Sequence, residues 1–281
     1  MDALLDQKYT RLKDNLSQYK DAIVAFSGGI DSSLVAFVAG QVLGQRATAI
    51  TSASASLKRA DLALAKQLAE VWGIQHKVIV TDELSKAEYR ANPTNRCFHC
   101  KTSLYSYLDE IAQTESIEVV LNGTNTDDLG DHRPGLIAAD NFAVRSPLVE
   151  CDFNKQDIRD LAHELGLSNA DKPQAACLSS RFPYGTEITL ELLEKVEAAE
   201  DIMSDMGFRQ YRVRHHGEVA RLEVETSELQ RAIDLNETLN QRIRAAGYSF
   251  VALDLAGFKS GSLNAAIPDN LIQKVDIKEL R

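Results

Sequence analysis

Two thiols, Cys97 and Cys100, stand with two residues between them in NRCFHCK (95–101), beside His99 and flanked by Arg96 and Lys101. That spacing serves a disulfide, a redox pair, half a zinc site or part of a metal cluster. Only two further cysteines occur, Cys151 and Cys177. The charged start MDALLDQKYTRLKDNL has no apolar stretch or cleavage site of a secretory signal, and no apolar run approaches the roughly 20 residues of a membrane span. The expected compartment is the reducing cytoplasm, where a CxxC binds metal or does chemistry rather than forming a structural bridge.

A second pattern with chemical content is AFSGGIDSSLVAFVAG (25–40). A short apolar run ends at Phe26, Gly28 and Gly29 allow a tight turn, and a helix is expected to begin near Asp31. Such a junction aims backbone N–H groups and a helix N-terminus at one point, which suits a phosphate. Ser27, Ser32 and Ser33 are expected to add hydroxyl donors, and Asp31 to hold a magnesium ion. There is no lysine before the serines, so this is not a Walker loop. The string resembles the PP-loop of the ATP pyrophosphatase superfamily, which implies cleavage of ATP between its α and β phosphates to adenylate a substrate.

Three more stretches carry candidate groups. GTNTDDLGDHRPG (123–135) follows an apolar run, which puts it at the carboxyl edge of a sheet, where ligands bind in open α/β folds. Gly123 is expected beside ATP, Asp127, Asp128 and Asp131 are candidate magnesium or substrate ligands, and Arg133 is suited to an anion. In ACLSSRFPYG (176–185), Cys177 has Ser179, Ser180 and Arg181 close behind it, and a nearby cation favours thiolate. In YRVRHHGEVARLEVE (211–225), Arg212 and Arg214 share one face of a strand and could grip a phosphate. His215 and His216 read as structural or exposed, Cys151 as a small buried hydrophobe, and nothing in the spacing of Glu200 and Glu223 demands a metal. FKSGSLN (258–264) is either a site loop or a turn.

In this order the PP-loop, NPTNRCFHCK, GTNTDDLGDHRPGL and CLSSRFPYG resemble the LarE family over nearly the whole chain. The resemblance implies an ATP-dependent sulfur transferase that adenylates a carboxylate of pyridinium-3,5-biscarboxylic acid mononucleotide and replaces it by a thiocarboxylate, in nickel-pincer cofactor synthesis. It implies ATP, Mg2+ and, for the three-cysteine type, a 4Fe-4S cluster held by Cys97, Cys100 and Cys177, with one iron open for sulfide. Catalytic roles fall on Cys177, Cys97, Cys100, Asp31 and Arg181. Asp127, Asp131, Arg133, Ser180, Arg181, Arg212 and Arg214 fall to the substrate. The single-cysteine type, in which Cys177 itself would give up its sulfur, and zinc with His99 or Cys151 as fourth ligand remain open. The expected partners are the nucleotide substrate, a sulfide source and further copies of the same chain.

These motifs need a scaffold. AIVAF (22–26), ATAITS (47–52), HKVIV (76–80), IEVVLNG (117–123) and AVRSPL (143–148) read as buried strands. Helices are expected over 3–19, 32–43, 58–73, about 99–115 and, with Asn154 as N-cap, to Gly166. Strand–helix alternation predicts a doubly wound, mainly parallel α/β domain over 1–170. A smaller α+β domain over 171–281 follows: helix 190–206, a hairpin turning at Gly217-Glu218, helix 227–246 and strand 248–255. Lys and Arg number 31 against 41 Asp and Glu, a formal charge of −10. That balance repels nucleic acid and counts against a tRNA-thiolating enzyme of the same superfamily. An amide synthetase on the same loop would have no use for the cysteine trio.

Overall fold

A computed structural model describes residues 2–130, 134–173 and 176–259. The elements are α1 (Ala3–Ser17), β1 (Ala22–Ala25), α2 (Ile30–Leu43), β2 (Ala47–Ser52), α3 (Arg59–Trp72) and β3 (Gln75–Ile79). The short α4 (Ala87–Arg90) precedes α5 (Arg96–Glu115), β4 (Val119–Leu121), α6 (Pro134–Asn141), α7 (Pro147–Glu150) and α8 (Lys155–Glu164). After them come α9 (Leu190–Asp205), β5 (Tyr211–His216), β6 (Val219–Val224), α10 (Leu229–Asp234), α11 (Asn236–Ala245) and β7 (Phe250–Leu253). None of the described helices is long and apolar enough to cross a membrane.

The chain falls into two compact units. The first, residues up to 83 and from 95 to 175, is an α/β sandwich on a parallel sheet of order β3-β2-β1-β4. β1, β2 and β4 are short and mostly buried between helices, whereas β3, expected to be buried, has no buried residue because it is an edge strand paired on one side only. α2 is apolar nearly all round, with Ile30, Leu34, Val35, Val38 and Ala39 buried, because it lies inside the core. α8 starts where predicted: Asn154 accepts from Asp157 N–H at 2.9 Å, and Asp157 reciprocates on Asn154 N–H at 2.9 Å, forming a capping box.

Strand order runs outward from β1 to β3 and then returns to β4 on the other side of β1. The crevice at that reversal is flanked by the loops after β1 and β4, which are the glycine-rich loop and the 122–130 segment.

The second unit comprises 84–94 and the residues after 175. It holds the sheet β5-β6-β7, antiparallel then parallel, packed on Ala199, Met203, Phe208, Leu239 and Ile243. The sequence boundaries leave 84–94 in the first domain, but beyond its own local bonds it makes several hydrogen bonds to residues far along the chain. Gly185 N–H donates to the Asn92 carbonyl at 2.9 Å, Ile188 N–H to that of Arg90 at 2.8 Å, and Asn92 Nδ2 to that of Pro183 at 2.8 Å.

Three expected elements differ. The fifth strand reduces to a single parallel bridge between Leu121 and Arg145, because Pro147 removes an N–H and opens α7. The helix expected over 227–246 breaks at Leu235 into α10 and α11. And α5 begins at Arg96 rather than near 99, so the CxxC lies within its first turns.

Candidate active site

The loop after β1 is held open from below. Gly28 has φ +71, a backbone state open to glycine, and a Cβ there would lie 3.3 Å from that of Ala65. Gly29 is the N-cap of α2 and offers no side chain to its first turn, so the first-turn N–H groups are left for an anion. Ser27 is exposed, and its Oγ lies 3.2 Å from Ser32 Oγ and accepts from Gly29 N–H at 3.4 Å.

Two of the other predicted hydroxyls act differently. Ser32 Oγ donates to the Gly29 carbonyl at 3.0 Å and accepts from Ser27 N–H at 3.2 Å. Ser33 is fully buried and accepts from Asn169 Nδ2 at 2.8 Å. Both brace the loop from within rather than presenting a hydroxyl to phosphate.

The opposite wall is the loop after β4. Gly123 packs so tightly on α2 that a Cβ would meet Ser32 N at 2.5 Å. Beyond it, Asn125 Nδ2 donates to Asp31 Oδ1 at 3.1 Å, and Asp127 N–H to Asn125 Oδ1 at 3.0 Å. Asp127 also accepts from the Lys155 N–H at 2.9 Å, at the start of α8. The Lys155 ammonium reaches both oxygens of Asp31, at 2.6 and 2.5 Å. Asn125 thus links Asp31 to the Asp127 turn at the loop mouth, and the Asp31 carboxylate is the kind of hard oxygen donor that magnesium takes when phosphates supply further ligands. Asp131 and Arg133 lie outside the described residues.

Four partners escape a reading of the sequence: Lys155, Asn125, Asn169 and Lys172. Lys172 Nζ binds Asp61 at 2.8 Å and the Gly28 carbonyl at 3.4 Å, under the glycine-rich turn. The four meet Gly28, Asp31 and Ser33 from 94 to 144 positions away. The one local signal is the Asn154 cap, which sets Lys155 at the head of a helix.

Cys97 is exposed and Cys100 half-buried, three apart and so on one side of α5. Cys151 is buried, and burial pushes its thiol up to about 11. Among the described residues no three His, Cys, Asp or Glu side chains converge on one point.

In the second unit, Cys177 is half-exposed at the head of a 3-10 turn (Leu178–Arg181). The expectation that Arg181 meets substrate gives way to a different role. Its guanidinium is fully buried and pairs with Glu200 through two bonds of 2.8 Å. Its Nη1 donates to the carbonyls of Ala176 (2.7 Å) and Cys177 (2.9 Å) and to Ser180 Oγ (2.9 Å). Arg181 therefore clamps the backbone that carries the thiol. Ser180 Oγ likewise donates inward, to the Cys177 carbonyl at 2.8 Å.

Arg214 is buried against Glu223 at 2.9 Å and donates to the Ser180 carbonyl at 2.6 Å. Arg212 stacks on Phe258, 4.9 Å to the ring centre. Burial, then the neighbouring Arg181 charge, pushes Arg212 down to about 10. The carboxylates of Glu200 and Glu223 oppose that shift, so the arginines here stand among counter-charges.

A phosphate loop at the reversal point of a parallel sheet, with an aspartate in place of a Walker lysine, defines the PP-loop class of ATP pyrophosphatases. In agreement, residues 12–131 match the family model described as asparagine synthase. The chain is 38% identical over 263 residues to the pyridinium-3,5-bisthiocarboxylic acid mononucleotide synthase of Lactiplantibacillus plantarum, covering 93% of this chain and 95% of that protein. It is 42% identical over 267 residues to an uncharacterised protein of Synechocystis sp., covering 94% and 99%. A glutamine-hydrolysing GMP synthase component of Thermoplasma volcanium is 27% identical over 210 residues, covering 69% and 67%. The chain belongs to the LarE family and is an ATP-using sulfurtransferase.

Proposed function

We propose that this chain adenylates a carboxylate of pyridinium-3,5-biscarboxylic acid mononucleotide and exchanges it for a thiocarboxylate. The observation that carries the reading is the pairing of the PP-loop with Gly123, Asn125 and Asp31, in a chain alike over nearly its whole length to a synthase named for that product. ATP phosphates lie on the first-turn N–H groups of α2. Asp31, with Asp127 and Asn125 beside it, would hold magnesium, which supplies charge neutralisation on the phosphates. A substrate carboxylate oxygen attacks the α-phosphorus and pyrophosphate leaves. The acyl adenylate is then attacked at carbon by sulfide; AMP departs with the oxygen.

Arg212, which is less buried and lies over the Phe258 ring, is assigned to the phosphate of the mononucleotide, whereas Arg214, buried against Glu223 and the Ser180 carbonyl, supports the Cys177 turn in the way Arg181 does. Ser180 and Arg181 set the Cys177 backbone rather than touch substrate. Cys97, Cys100 and Cys177 would hold the 4Fe-4S cluster. The donor chemistry fits: all three are thiols with some exposure, unlike Cys151. When bound, the cluster supplies an open iron for the sulfide.

The test is anaerobic purification with iron and acid-labile sulfide counted, followed by turnover with substrate, ATP and sulfide. The expected result is substrate-dependent ATP–pyrophosphate exchange, a product in which sulfur has replaced oxygen, and iron lost in Cys97→Ser. An iron-free protein that thiolates while Cys177 loses the mass of one sulfur would establish the sacrificial route instead. Zinc in place of iron would overturn the cluster assignment.

A further inference from the structure

Asp31, which the proposed function gives to magnesium, already carries a cation. Lys155 Nζ lies 2.5 and 2.6 Å from its two oxygens, with Asn125 as a third contact. A metal on those oxygens would compete with the ammonium for the same carboxylate and be repelled by it.

The lysine is anchored for an exchange of this kind. Its backbone is fixed: it is the first residue of α8, follows the Asn154–Asp157 capping box, and gives its N–H to Asp127. Lys8 holds Asp157 at 2.7 Å, and Asp157, two positions on along the helix, does not face the Lys155 side chain. A lysine in the first turn of a helix stands at the unfavourable end of the macrodipole, so its place is explained by its partner rather than by the helix. The side chains of Lys155 and Asp31 are each 25% exposed, so the pair is hydrated and displaceable. The four-carbon stem lets the ammonium swing.

We propose that Lys155 is the resting counter-ion of Asp31, displaced by magnesium only when nucleotide arrives to give the metal further oxygens and the ammonium a phosphate to pair with. Metal and nucleotide then bind with positive coupling, and the same factor must appear in both directions. This deepens the assignment of Asp31 to the metal and rests on it.

The test is titration of the full chain with Mn2+, followed by the electron paramagnetic resonance of the free ion, with and without an ATP analogue bridged by methylene between the α and β phosphates. Without nucleotide, Lys155→Met is expected to bind Mn2+ at least about tenfold more tightly than wild type, whereas Lys155→Arg behaves as wild type. The gain is expected to vanish in the Lys155→Met/Asp31→Asn double variant. The analogue is expected to tighten Mn2+ binding by a larger factor in wild type than in Lys155→Met. Equal Mn2+ affinity of wild type and Lys155→Met without nucleotide, both melting cooperatively, would overturn the counter-ion role. An Asp31→Asn protein that binds Mn2+ with the analogue as tightly as wild type would instead overturn the assignment of Asp31 to the metal.

Discussion

Replacing Gly123 by alanine adds one methyl group at the narrowest point of the phosphate site. The new Cβ would lie 2.5 Å from Ser32 N and 2.8 Å from the Asp31 carbonyl carbon, both backbone atoms that cannot rotate away. Restoring an ordinary contact of 3.4 Å to Ser32 N requires a displacement of roughly 0.9 Å. It moves either the β4 loop or the first turn of α2. An error of about 1 Å in positioning costs on the order of 10²-fold in rate, which is about 2.7 kcal/mol of transition-state binding. Overpacking adds about 1–3 kcal/mol of lost stability.

Substrate-dependent ATP–pyrophosphate exchange is the assay, because it reports adenylation without the sulfur step. The expected result is a fall of about 100-fold in kcat/KM for ATP, with the protein still folded and melting cooperatively at a lower temperature. Exchange within about threefold of wild type would refute the reasoning, since the loop would then have absorbed the methyl without moving the phosphate donors.

Glu200→Gln leaves the buried Arg181 charge without its carboxylate, which should cost about 3–5 kcal/mol and show as a marked drop in Tm. In the same variant, alkylation of Cys177 should accelerate while that of Cys97 does not; unchanged Cys177 kinetics would mean that Arg181 does not set the loop. Stability should also fall with acidification. Burial, then the charge of Lys195, holds His215 below the usual histidine range, and burial, then Lys66, does the same to His76. The unfolded chain takes up these protons first, so stability is full above about pH 7.5 and declines as the pH drops through about 6.5. Urea midpoints measured from about pH 8 down to about pH 5.5 should show that slope, and His215→Gln should flatten part of it; a slope identical in the variant would exclude His215 as a contributor.

The parallel sheet is legible because its strands are short apolar runs set between helical patterns, and β1 and β2 lie within one residue of expectation. SGGIDSS is legible as a loop because glycines and a helix start leave a local trace. What the loop leans on is not. Asn169 and Lys172 reach the turn at Gly28 from more than 130 positions away, and nothing in SNADKP marks them for it. Ser32 and Ser33 look like phosphate donors because residue type does not tell which way a hydroxyl points. The start of α5 is hidden because Pro93-Thr94-Asn95 reads as a breaker, and Asn95 caps without a side-chain bond. Arg181 does belong near Cys177, as its place in the motif suggests, but its burial against Glu200 depends on β5 and α9 closing over it.

The assignment of 84–94 to the second unit has a consequence for biosynthesis. This short segment leaves the ribosome about 90 residues before the turn that receives it, a delay of roughly 4.5–18 s at 5–20 residues per second. During that interval Tyr89 has no Ser179, the buried partner it meets at 2.6 Å across 90 positions, and Asn92 has no Pro183. A nascent chain arrested in this window carries a segment whose Tyr89 hydroxyl and Asn92 amide still lack the partners that bury them. A fragment ending at residue 175 would leave these two side chains without those partners for good.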